Sequence, residues 1–251
     1  MDLELADKVV LITGASGGLG RELAVEFGQH DARVAVHFHS NVEAAEVVAQ
    51  SVDAVGGEAL TVSADLADRA SVQAMISEIV IEWGGVDVLV NGAAAFESGI
   101  PIDSMTPDQW RRMVDTVLTG AYHTTSLCAP YMRRRKWGRI VNIASRAGVA
   151  GAPRLAHYVS AKAGLIGLTR ALAKELGPDG ILVNAVAPTR ILTPKERERR
   201  SADELERIAR QIPLGRIATP EDVARVILFL GSGWNTYVTG EVITISGGVN
   251  E

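Results

Sequence analysis

The sequence is short of cysteine. Its 251 residues hold one, Cys128, which excludes an internal disulfide and a metal cluster built from cysteines. That residue lies in an apolar helical stretch and reads as buried filler rather than a reactive thiol. The chain also lacks any apolar run of about 18 residues, so no helix is expected to cross a membrane. Its first residues, MDLELADK, have no basic segment leading into an apolar one, so no secretory signal is expected. Positive charge is not in excess. A net charge of −5 and a pI near 5.6 argue against nucleic acid or an anionic membrane as partner. Nor does any linker, repeat or low-complexity segment divide the chain. What remains is ordinary globular material, 47% apolar and 22% charged, enough for a sizeable core. The expectation is a single cytoplasmic domain over residues 1–251.

Residues 8–20, KVVLITGASGGLG, organise the rest. Five apolar or β-branched residues read as a buried strand, the glycines as a turn, and Leu19-Gly20-Arg21 as the start of a helix. A strand that runs into glycines and then a helix leaves bare N–H groups at a helix N-terminus, which suits a pyrophosphate. Gly14 is expected to turn the chain, Gly18 to let a phosphate approach, and Gly20 to let helix and strand pack closely. The spacing is G-x-x-x-G-x-G, not the commoner G-x-G-x-x-G.

Six further strands are expected at 32–38, 59–63, 86–90, 139–143, 182–186 and 242–245. Between them, helical spacing predicts helices over 19–29, 43–55, 71–83, 107–135, 155–176, 194–210 and 220–230, with glycine stops at 56–57 and 84–85. Near-continuous Val/Ile/Leu strands alternating with helices predict an α/β fold. Its centre is a doubly wound parallel sheet of seven strands with helices on both faces, the Rossmann arrangement. Ligands of such sheets bind beyond the carboxyl ends of the strands. Those ends carry Gly14-Ala15-Ser16, His39-Ser40, Asp65-Leu66, Asn91-Gly92-Ala93, Ser145 and Pro188-Thr189.

Thirteen residues after Ser145 comes Tyr158-Val159-Ser160-Ala161-Lys162. Positions i and i+4 share a helical face. An ammonium beside a phenol favours the phenolate and lowers its pKa, which suits proton transfer near neutrality. A serine hydroxyl facing that phenol holds a carbonyl oxygen in place.

Thr13-Gly14-x-x-x-Gly18-x-Gly20, Asp65, Asn91, Ser145, Tyr158-x-x-x-Lys162 and Pro188-x-x-x-x-Thr193 follow one another in order, down to Gly240-Glu241 and Ser246-Gly247-Gly248. As a set they resemble the short-chain dehydrogenase/reductase family, and within it the branch similar to 3-oxoacyl-carrier-protein reductases. The resemblance implies that Tyr158 gives a proton to a carbonyl oxygen, Lys162 holds the nicotinamide ribose and depresses the tyrosine pKa, and Ser145 orients the substrate. It implies that Asp65 and Leu66 border the adenine, Asn91 and Ala93 the adenosine side, and Pro188, Ile191 and Thr193 the carboxamide. Gly14, Ser16, Gly18, Leu19 and Gly20 would carry the pyrophosphate. No metal site is expected. Residues 189–212, including the charged run 195–200, are expected to close over the substrate. Members of this family pair long helices across subunits, which implies a homotetramer or a dimer.

The sequence departs from the family at three places. Val117 stands where an Asn usually helps anchor a proton-relay water. Asn91-Gly92-Ala93-Ala94 replaces Asn-Asn-Ala-Gly, and Thr189 replaces the glycine after Pro188. Cofactor choice is expected at His39, Ser40 and Asn41, which lack the carboxylate that repels a 2′-phosphate. NADPH is therefore favoured over NADH. The expected activity is reduction of a small ketone or 3-oxoacyl compound. For a carrier-protein substrate Lys136 is the available cation, whereas Asp179 is acidic. Two other readings remain. His37-Phe38-His39-Ser40 and Asn91 through Phe96 are similar to pteridine reductases, and a regulator of the same fold would bind the cofactor with weak catalysis.

Overall fold

The computed structural model describes residues 2–94 and 99–249; Ala95 and Phe96 fall outside them. Seven strands form one wholly parallel sheet: β1 (Val9–Thr13), β2 (Arg33–Phe38), β3 (Glu58–Ser63), β4 (Val88–Asn91), β5 (Gly138–Ile143), β6 (Ile181–Pro188) and β7 (Val242–Ile245). Their order is β3-β2-β1-β4-β5-β6-β7, the doubly wound arrangement the strand pattern predicts. The order reverses between β1 and β4, and a cleft opens where the chains diverge there.

The side-chain alternation of the strands divides the core in two. Val10 and Ile12 face one layer with Leu23 and Phe27 of α1 (Gly18–Gly28), Val48 and Val52 of α2 (Val42–Asp53), and Val223 and Ile227 of α10 (Pro220–Gly231). Val9 and Leu11 face the other layer. There they meet Met75 and Ile79 of α3 (Arg69–Trp83), Cys128 and Met132 of α5 (Gly120–Arg135), and Leu176 of α7 (Ala156–Leu176). Cys128 is fully buried, and that burial pushes its thiol pKa far up, so it is packing material. Among the described residues no helix is long and apolar enough to cross a membrane.

Helix ends follow their local chemistry. Asp68 caps α3, whose far end closes on Gly84 at φ +79°. Pro220 opens α10 behind a Thr219–Asp222 capping box.

Three elements differ from the expected pattern. The run 107–135 is not one helix: α4 (Pro107–Val114) and α5 are joined by a π turn, Asp115–Thr119. Apolar spacing does not reveal one extra residue in a turn, and such turns cluster at functional sites. The charged run 194–210 divides into α8 (Pro194–Glu198) and α9 (Ala202–Arg210), because Ser201 caps the second by a capping box with Glu204. A short helix, α6 (Arg146–Ala150), follows Ser145, which caps it by accepting a hydrogen bond from the Ala147 amide at 3.2 Å.

Candidate active site

A cavity of about 920 Å³ lies along the carboxyl ends of the strands. Every expected site residue lines it except Asn91.

Its floor is the glycine turn. Gly14 sits at φ +72°, and a Cβ there would stand 2.9 Å from the Ala93 Cα. The ends of β1 and β4 therefore touch at the point where the strand order reverses. Gly20 is tighter still, since its Cβ would meet the Gly14 carbonyl oxygen at 2.4 Å. Gly18 has a further use beside the expected one: a Cβ there would meet the Thr193 side chain at 3.0 Å, so its bareness admits the segment after β6. The first turn of α1 has neither a side-chain cap nor an acidic residue. Its N–H groups face the cavity with Ser16, Gly17 and Leu19, a donor set that fits a pyrophosphate.

One residue that holds this floor was hidden in the sequence. His37 is buried, and its Nδ1 accepts the Gly14 amide hydrogen at 2.9 Å while its Nε2 donates to the Ala64 carbonyl at 3.1 Å. An amide N–H only donates, so the ring is the neutral tautomer protonated at Nε2. Burial depresses its pKa to about 4, the Ala64 carbonyl opposes that shift, and His39 adds to it. Below about pH 6.5 the unfolded chain takes up a proton that the folded chain refuses. Stability is therefore complete above pH 6.5 and falls until about pH 4, by ~3 kcal/mol from this residue. Urea unfolding of wild type and His37→Asn at pH 7 and pH 4.5 checks this. The wild type is expected to lose more stability, and equal losses would remove His37 as the cause.

At the adenosine end, His39 and Ser40 are exposed beside Asp65 and Leu66. Asn41 has a structural duty, because its Oδ1 accepts the Ala44 amide at 2.9 Å and caps α2. Leu66 is set by His123, whose Nδ1 donates to the Leu66 carbonyl at 3.0 Å. Gly120 allows this approach, since a Cβ there would stand 2.8 Å from the Leu66 Cβ.

Asn91 is the one expected cofactor residue that does not line the cavity. Its side chain turns into the protein, donating to Asn142 at 2.9 Å and accepting from Thr124 at 2.7 Å. Asn142 continues the chain to Thr169 at 2.9 Å. This buried network ties β4 and β5 to α5 and α7, so Asn91 shapes the strand end rather than the cavity wall. Thr13 does similar work, accepting from the Gly92 and Ala93 amides at 3.0 and 3.3 Å.

At the opposite end stand Ser145, Tyr158 and Lys162. Ser145 hydrogen-bonds the Tyr158 phenol. Lys162 is buried, and its Nζ donates to the Ile143 carbonyl at 2.5 Å and lies 5.8 Å from the Tyr158 ring centre. Desolvation lowers the lysine pKa to about 8, so it keeps its proton at neutral pH. The expected depression of the tyrosine pKa by Lys162 does not hold in this structure. Burial raises the Tyr158 pKa, and it is the Ser145 hydroxyl that opposes the rise. The ammonium donates to Ile143 and lies over the Tyr158 ring.

Val117 is also explained. It is buried in an apolar cluster with Met113, Ala121, Ala161 and Leu165, against which Tyr158 packs. The π turn instead points Asp115 and Thr116 at the cavity, while Thr119 donates to Asp115 at 3.4 Å.

The family model described as enoyl-(acyl carrier protein) reductase matches residues 14–250. The 3-oxoacyl-(acyl-carrier-protein) reductase FabG of Staphylococcus aureus is 38% identical over 243 residues, 96% of this chain and 98% of that protein. This chain belongs to the short-chain dehydrogenase/reductase family. It is thus an oxidoreductase of the kind that binds a nicotinamide dinucleotide. FabG of Staphylococcus epidermidis is 37% identical over 243 residues, 97% of this chain and 99% of that one. Among solved structures, a short-chain type dehydrogenase/reductase from Mycobacterium marinum matches with a TM-score of 0.90. It is 33% identical, and the match covers 99% of this chain and 98% of that one.

Within this short-chain dehydrogenase/reductase, Lys136 is not at the cavity mouth. It ends α5 just before β5, at the sheet edge away from the carboxyl ends, and its Nζ is paired with Asp179 at 2.6 Å. The two residues weighed for a carrier protein thus satisfy each other. Among the described residues no group of three or more His, Cys, Asp or Glu is placed to hold a metal ion.

Proposed function

We propose that the protein is a cytoplasmic, NADPH-dependent carbonyl reductase that turns a small ketone or 3-oxoacyl compound into a secondary alcohol, reversibly. One observation carries this reading: Ser145, Tyr158 and Lys162 share a cavity with an uncapped helix N-terminus that suits a pyrophosphate. When bound, the nicotinamide supplies the hydride that goes to the carbonyl carbon. The chain's own residues manage the oxygen. Ser145 Oγ orients it, and Tyr158 Oη gives it a proton as negative charge develops there. Solvent returns that proton to the phenolate. Lys162, held by Ile143, binds the ribose and keeps a positive charge beneath the reacting groups. Pro188, Ile191 and Thr193 position the carboxamide, and the segment 189–212 closes over the substrate. The preference for NADPH rests on His39 and Ser40 and on the lack of a carboxylate at the end of β2. A lower Michaelis constant for NADH than for NADPH would reverse it.

Homotetramer assembly, or failing that a dimer, is part of the proposal. Trp110 on α4 and Tyr122 on α5 are exposed on the long helical stretch that the family resemblance pairs across subunits, as are Phe229 on α10, Trp234 and Tyr237. Light scattering is expected to give the tetramer mass, and a monomer mass would remove this part.

Loss of NADPH absorbance with a panel of ketones, 3-oxoacyl thioesters and pterins, run beside Tyr158→Phe, tests the whole reading. The pterins address the second enzymatic reading, which His37 weakens because its ring is committed to Gly14 and Ala64.

A further inference from the structure

A second cavity, of about 220 Å³, shares a wall residue with the first. Its wall is mostly apolar, from Ile212, Leu214, Ala218 and Ile245, with Arg216 and Asp222 paired at 2.8 Å on its polar side. Both cavities are lined by Thr189. That residue is half-buried and fixed in place. Its amide donates to the Ile245 carbonyl at 3.0 Å, and its hydroxyl lies 3.4 Å from the same oxygen. Thr189 is the one residue common to the two linings, the place where a partition between them would stand.

We propose that Thr189 sets the length of substrate that this enzyme accepts. With threonine in place, the carbonyl compound's tail ends against its methyl and hydroxyl groups, and the apolar cavity stays unused. Without that side chain the two volumes join. The added space, at ~30 Å³ per heavy atom, holds on the order of seven atoms of an aliphatic tail. A hydrophobic pocket discriminates by roughly tenfold or more per methylene, so removing the wall should show clearly in chain-length selectivity. The proposal rests on the carbonyl-reductase reading and refines its substrate class to compact ketones and short 3-oxoacyl compounds.

The test compares kcat/KM across a series of straight-chain ketones and 3-oxoacyl esters in four proteins. In Thr189→Gly the ratio of long-chain to short-chain kcat/KM is expected to rise at least ~10-fold. In Thr189→Val, which keeps the bulk and loses the hydroxyl, the wild-type ratio is expected to persist. Adding Ala218→Leu to Thr189→Gly refills the apolar cavity and is expected to return the ratio toward wild type. An unchanged ratio in Thr189→Gly, or a gain that the refilled variant keeps, overturns the partition. Binding of straight-chain carboxamides, which carry a carbonyl but are not reduced, is measured in parallel by calorimetry. If no ketone turns over in any protein, the reductase reading fails, and the carboxamide series still decides the partition. Longer amides binding tighter to Thr189→Gly than to wild type support it, and identical length dependence overturns it.

Discussion

Tyr158→Phe is expected to lower kcat for ketone reduction by ~100-fold or more, the usual worth of a positioned proton donor, while NADPH still binds. The substitution removes one oxygen and little else. The Tyr158 ring packs against the cluster of Val117, Ala161 and Leu165, and phenylalanine keeps that contact. Lys162 retains its own bond to Ile143, so the proposed ribose site is undisturbed. Ser145 remains bonded to the Ala147 amide. A loss in kcat with unchanged cofactor affinity thus isolates the proton transfer. Wild-type turnover in Tyr158→Phe would remove the phenol from the mechanism. NADPH binding with no turnover by the unmodified protein on any panel member would favour the regulator reading instead.

The resting tyrosine pKa bears on the same step. With burial holding it up, the phenol is fully protonated at neutral pH. That is the form needed to give a proton during reduction. In the oxidation direction the same phenol must first lose its proton. In the proposed mechanism the Ser145 hydroxyl, which opposes the rise in that pKa, is the group hydrogen-bonded to the phenolate left after transfer.

The sheet was legible in the sequence because buried parallel strands write themselves as short Val/Ile runs, and the cavity because small and polar residues follow each run. Ser145 and Pro188 needed only their positions at strand ends to be found. Asn91 has the same position, but nothing local says which way a side chain turns at a strand end. Its partners Thr124 and Asn142 lie 33 and 51 residues away. His37 was hidden for a similar reason. A histidine in an apolar strand reads as one more buried residue until Gly14 and Ala64 are brought to its two nitrogens. The i, i+4 relation of Tyr158 and Lys162 was plain, but the Ile143 carbonyl that captures the ammonium belongs to another strand. Local spacing placed the chemistry, and long-range contacts decided its electrostatics.

Gly20→Ala is the second substitution with a large expected effect, and its neighbour Gly17 supplies the contrast. Both glycines belong to one turn and both read alike in the sequence. A methyl on Gly20 would lie 2.4 Å from the Gly14 carbonyl oxygen and 2.7 Å from the Ala15 Cα, both backbone atoms with nowhere to go. The helix must lift from β1, which costs about 1–3 kcal/mol or more by overpacking. At about 2–4 °C for each kcal/mol in a chain of this size, Tm falls by several degrees. The same lift moves the first N–H groups of α1 away from the phosphate position, so the NADPH Michaelis constant rises as well. Gly17 has φ −83°, and its Cβ would meet only the Gly14 carbonyl oxygen, at 3.3 Å. Gly17→Ala is therefore expected to leave stability within about 0.5 kcal/mol of wild type, as surface substitutions do. Calorimetric Tm and NADPH kinetics on the two variants check this together. Equal behaviour of the two would mean that close packing of α1 on the turn is not what the third glycine is for.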